Sequence, residues 1–177
     1  PSIGSWVSYG LGSKNKNMPA YCTLISQGTG KNPGQPIFSR LWGSGFLPSI
    51  HQGVQLRSSG DPILFLNDPK AYTRENRRMV LDTLRKLNEK HYETQKNQEI
   101  LTRIGQYEMS YRMQKEAPQI VDISNEPEST FKLYGEDARK PGTYAYNCLL
   151  ARRMIENDIR MVQLFHRGWD QHKELVK

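Results

Sequence analysis

At 177 residues the chain is sized for one domain with a core of useful volume. Its 36% hydrophobic content and mean hydropathy of −0.73 are low for a compact enzyme, while 10% aromatic residues argue against a disordered chain. The net charge of +7 is concentrated in residues 1–60, which hold Lys14, Lys16, Lys31, Arg40 and Arg57 and no acid; this suits an anionic ligand, but no basic run is dense enough, or interleaved with aromatics, for a nucleic-acid surface.

Residues 3–11, IGSWVSYGL, read as a short helix stopped by Gly12. AYCTLIS (20–26) is a β-rich apolar run and reads as a buried strand. A Gly/Pro/Asn-rich loop follows at 27–36. VQLR and PILFL, separated by SSGD, are expected to pair as a hairpin. From Arg74 to Lys115 the pattern is helical: Val80, Leu84, Leu87 and His91 fall at i, i+4, i+7 and i+11, and Ile100, Ile104, Tyr107 and Tyr111 repeat that spacing. The polar stretch between them predicts one long helix or a helical hairpin bent near 95–98. His91 continues the first stripe and is expected to be packed.

Pro118 is expected to end this helix, with QIVDIS extended after it. Asn125 or Ser124 is expected to start a brief helix that Gly135 stops. GEDARKPG reads as a loop. Thr143 is placed to cap a helix whose face is Tyr144, Cys148, Ala151 and Ile155. A buried strand follows at 159–165, and helix, strand, polar loop is the unit of parallel α/β sheets.

Cys22 and Cys148 form no CxxC and no zinc knuckle; both are expected as small buried side chains. No stretch approaches the ~18 apolar residues of a membrane span. PSIGSWVSYG has neither the charged n-region nor the continuous apolar run of a signal peptide. No serine sits in G-x-S-x-G, and GTGKNPG lacks the spacing of a phosphate loop. His51, in LPSIHQG, reads as a surface or structural residue.

The chemistry concentrates in VQLFHRGWDQH (162–172). In open α/β sheets the working loops lie beyond the carboxyl ends of the strands, where His166, Asp170 and His172 fall. Carboxylate and imidazole are common ligands for divalent ions. If 170–172 is extended, Asp170 and His172 point to one side. Arg167 can fork onto an anionic oxygen. The competing reading is a polar loop whose histidines and aspartate bond each other, with Trp169 as a packing plug.

PSIGSWVSYGLGS, MPAYCTLIS, ARKPGTYAYNCLLARRMIE and VQLFHRGWDQH together resemble a family of exported, sulfatase-like bacterial proteins of unknown function, domain-of-unknown-function family 1501. The resemblance implies an α/β fold of the alkaline phosphatase and sulfatase superfamily: a mostly parallel sheet between helices, here an incomplete single domain over 1–177. It implies a role in metal-dependent hydrolysis of a small-molecule or polysaccharide sulfate or phosphate ester. Asp170 and His172, with His166, would then belong, in the complete protein, to the shell of a divalent ion (zinc, manganese, calcium or magnesium), and Arg167 to an anion contact. Export to the periplasm or beyond is implied too. Family members extend further at both ends, with E-F-G-R-like and D-H motifs missing here, so this chain alone is expected to be inactive. Truncated faces would favour a homo-oligomer. The alternative function is a non-catalytic exported protein that binds anionic polysaccharide or the cell envelope, motivated by the basic first third.

Overall fold

Tyr21–Ser26 forms β1, the centre of what is, among the described residues, a three-stranded sheet of order β2-β1-β3. β2 (Val54–Leu56) and β3 (Met161–His166) both run parallel to it. The computed structural model describes residues 1–28, 36–60, 62 and 73–167. A strand paired on both sides and covered on both faces has no surface for polar side chains, so YCTLIS is apolar almost throughout rather than alternating. The fold is mixed α/β with a parallel sheet, as the sequence predicts.

The expected hairpin is replaced by this parallel pairing: Val54 to Leu56 register against Cys22 to Leu24. Of its intended second strand, 62–66, only Pro62 is among the described residues; its carbonyl accepts from the Arg57 N–H at 2.8 Å. The loop expected at 27–36 also falls mostly outside them. β3 is half-buried at every position rather than buried, because it lies at an edge of the described sheet.

One face of the sheet, with Cys22, Leu24, Leu56, Val162 and Leu164, carries the main core. Two helices cover it, α3 (Gln98–Val121) through Met113, Ala117 and Ile120, and α5 (Tyr144–Glu156) through Tyr146, Leu150 and Met154. The other face meets α1 (Ile3–Leu11) and Trp42, whose ring lies 5.5 Å from that of Phe165. α1 starts as its sequence suggests, with Ser2 Oγ accepting from the Ser5 N–H at 3.2 Å, and stops at Gly12, φ 63°. Its inner face is small (Gly4, Ser5, Ser8), while Ile3, Trp6, Tyr9 and Leu11 face outward.

The 74–115 pattern resolves into a hairpin of α2 (Arg74–Gln95) and α3. The reversal is at Lys96, φ 53°, and Asn97 caps α3 by accepting from the Glu99 N–H at 3.0 Å. The inward stripe on α2 is not the one expected: Leu81 is buried, whereas Val80, Leu87 and His91 are exposed. One residue of offset rotates the contact face by about 100°. Arg78 fixes that rotation by reaching across to Glu108 at 2.5 and 2.9 Å, so a charged clamp rather than the apolar stripe sets the contact.

Three further expectations are corrected. Pro118 does not end α3, which continues to Val121, so the QIV of QIVDIS is helical rather than extended. Proline costs the helix one donor, and burial of Ala117 and Ile120 against the sheet holds this last turn in place. α4 (Glu128–Tyr134) follows Pro127 rather than Asn125 or Ser124, though Gly135, φ 85°, stops it as expected. The GEDARKPG loop contains a 3-10 turn, Glu136–Arg139, anchored by buried Ala138. On α5, Thr143 Oγ1 does accept from the Tyr146 N–H at 3.1 Å, but Tyr144 and Ile155 are exposed and Tyr146, Leu150 and Met154 face the core.

Two arginines tie α5 back to the end of α3. Arg152 and Arg153 each reach Glu126 Oε1 at 2.5 Å, and Arg153 Nε donates to the Ile120 carbonyl at 2.7 Å. The Glu126 side chain is only 6% exposed. Burial pushes its pKa up, and the two guanidiniums more than offset this, holding the carboxyl below the usual glutamate range.

Candidate functional site

β1 and β3 are in register from Tyr21↔Met161 to Ser26↔His166. Matched residues in neighbouring parallel strands project to the same face, so Ser26 and His166 meet at the carboxyl edge. Ser26 Oγ lies 2.6 Å from His166 Nδ1 and 3.3 Å from the Phe165 carbonyl oxygen. The serine is 2% exposed. Its hydroxyl has one proton for these two acceptors. When that proton goes to the carbonyl, Oγ accepts from Nδ1–H and the imidazole lone pair sits on Nε2.

The rest of the edge comes from the start of α5. The Gln27 N–H donates to the Gly142 carbonyl at 2.7 Å, so the loop before α5 closes over the end of β1. A side chain at Gly142 would be strained, because φ is 91°, and its Cβ would also push the end of the Gln27 side chain aside. This seating places the Tyr144 ring 5.2 Å from the His166 ring. Cys148, one turn on, is half-buried; burial pushes its thiol pKa up against a lowering hydrogen bond from Tyr144. Burial likewise raises the Tyr144 phenol, which stays protonated at neutral pH. Neither is an activated nucleophile.

Arg167, the next residue after β3, has a buried Nε with no hydrogen-bond partner among the described residues. An orphaned guanidinium N–H is costly to leave unmade. It stands next to His166 in the chain.

Among the four site residues named from the sequence, His166 and Arg167 are therefore on the expected edge. Asp170 and His172 lie outside the described residues. Among the described residues no three His, Cys, Asp or Glu side chains converge as a metal cluster, so the donor set here is the His166 imidazole with its serine. Sequence reading missed Ser26; the available signal was a small polar residue closing an otherwise apolar central strand.

The other candidates are elsewhere. His51 lies near the amino end of the sheet, with Nδ1 3.1 Å from Ser8 Oγ and its ring 5.4 Å from that of Tyr9. Burial lowers its pKa and keeps it neutral, in line with a structural role. Cys22 is free and fully buried in the core, its thiol pushed up to about 12 by burial. Cys148 is also free, and less buried than expected.

A parallel sheet with helices on both faces defines an α/β protein, and in it polar side chains gather at the carboxyl edge of the sheet. The chain belongs to the family described as protein of unknown function (DUF1501), whose sequence model matches residues 1–177. No curated protein and no solved structure matches it.

Proposed function

We propose that this chain supplies part of the metal and anion site of a sulfuric- or phosphoric-ester hydrolase. His166, Asp170 and His172 are the ligands and Arg167 is the anion fork. The observation that carries this reading is the Ser26–His166 pair at the carboxyl edge, immediately before the W-D-Q-H segment. A ligating histidine commonly has its second ring nitrogen held by an oxygen, which fixes tautomer and orientation; Ser26 offers that oxygen. The buried Arg167 Nε, without a hydrogen-bond partner among the described residues, supports an oxyanion beside the histidine. A divalent ion, zinc or manganese for example, supplies polarisation of the ester and an activated oxygen nucleophile when bound. Sulfate or phosphate esters, small or polymeric, are the substrate class, and the setting is exported.

The test is metal binding to the full chain, read as bound zinc and manganese after gel filtration. Uptake of a single ion, lost in His166→Ala and in Asp170→Ala/His172→Ala, is the expected result. Unchanged stoichiometry in the double variant overturns the assignment.

A further inference from the structure

At the opposite end of the sheet from His166, a cleft of about 530 Å³ opens between α1, the start of β1, the 3-10 turn Ser49–His51 and the middle of α3. That volume falls in the range of small-molecule sites. Its walls come from segments separated by up to a hundred residues, and the fold holds them together around it.

The lining has two characters. Tyr21, Val54, Met109 and Met113 make an apolar part, continuous with the main core. Gly105 keeps the α3 side low: a Cβ there would press on Ile50 Cδ1 at 3.3 Å. Gln52, Gln106 and Ser110 add neutral hydrogen-bonding groups. Among the described residues that line it, Arg112 is the one permanently charged side chain, and none is an acid. His51 is engaged by Ser8 and neutral. Of the acids nearby, Glu99 accepts from Ser49 Oγ at 2.9 Å and Glu116 accepts from Asn15 Nδ2 at 2.6 Å, while Glu108, one turn before Arg112, is bonded by Arg78 and also feels the Arg112 charge.

An apolar lining is filled by an apolar body, and a lone guanidinium is matched by one oxyanion. We infer that this cleft binds a small monoanionic amphiphile: an apolar or aromatic body carrying a carboxylate, sulfonate or phosphate monoester that Arg112 receives. The site is separate from the His166 edge and does not depend on the function proposed there.

The experiment compares two fluorescent probes on the full chain, 8-anilinonaphthalene-1-sulfonate and the uncharged N-phenyl-1-naphthylamine. The sulfonate binds the wild type more tightly. Arg112→Gln weakens the sulfonate about tenfold, the loss of one charge-assisted contact, and leaves the uncharged probe unchanged. Ser110→Trp or Gln106→Trp, each filling the cleft from an exposed position on α3, weakens both probes at least as much. Circular dichroism identifies the filling variant that keeps its fold, and either one serves. Equal probe binding in wild type and a folded filling variant overturns the proposal and assigns the signal to the exposed rings of Trp6, Tyr9 and Phe46. Retention of the sulfonate preference in Arg112→Gln overturns the charge assignment.

Discussion

Ser26 Oγ and His166 Nδ1 lie 2.6 Å apart because their residues are matched on the last rung of β1 and β3. A slip of one residue would turn His166 to the other face. The contact therefore reports the register of the whole parallel pair, and it converts a strand end into an oriented imidazole.

Ser26→Ala removes the oxygen that holds the ring. Loss of such an outer partner lowers metal affinity at a ligating histidine about tenfold or more. The stability cost is small, about 1 kcal/mol for one neutral hydrogen bond. Calorimetric zinc titration and urea unfolding of the same variant separate the two. A large stability loss with unchanged zinc affinity would make Ser26 merely structural.

Glu126→Gln unpairs two guanidiniums. Breaking a fully buried pair costs about 3–5 kcal/mol. Arg152 and Arg153 are 32% and 19% exposed, so water softens the loss to roughly 2–3 kcal/mol. The folded pKa of Glu126 lies below its unfolded value. Its contribution is thus complete above an unfolded glutamate pKa of about 4.3 and disappears as pH falls through the lower folded value. Urea unfolding should show a wide gap between wild type and variant at pH 7, closing at strongly acid pH.

Gly4→Ala tests the α1 contact with a reversed sign. Alanine improves helix propensity by about 1 kcal/mol. Here, however, its Cβ would stand 2.3 Å from the buried Tyr21 ring, and overpacking of that kind costs about 1–3 kcal/mol. A lowered melting temperature is expected; a raised one would show that α1 does not sit on Tyr21.

The thiols give a further check. Cys22, with its pKa near 12 and no exposure, should resist a disulfide reagent at pH 8 until the chain unfolds. Cys148 should react slowly in the native state, since its thiol is half-buried and also shifted upward. Rapid reaction of both would contradict the packing of β1 against α5.

What could be read in advance depended on whether local chemistry or tertiary contact decided the outcome. Gly12, Thr143 and Gly135 act within a turn of their own positions, so the stop of α1, the start of α5 and the stop of α4 were legible. The run YCTLIS announced a buried strand, because a short, β-rich apolar run suits a strand covered on both faces. The rotation of α2 was not legible: its stripe at Val80, Leu84, Leu87 and His91 competes with an Arg78–Glu108 clamp thirty residues apart in sequence. Pro118 was misread for a similar reason, since long-range burial of Ala117 and Ile120 outweighs one lost donor. At the site, His166 and Arg167 were visible as residue types after a strand. Their partner Ser26 was not, because the pairing exists only through the register of β1 with β3.

The most direct test is the tautomer of the His166 ring, read by ¹⁵N–¹H correlation of the histidine side chains with and without zinc. The Ser26 contact predicts the Nδ1–H tautomer, with the Nε2 resonance shifting as zinc is added and the Nδ1 proton retained. An Nε2–H ring that zinc leaves untouched would contradict it.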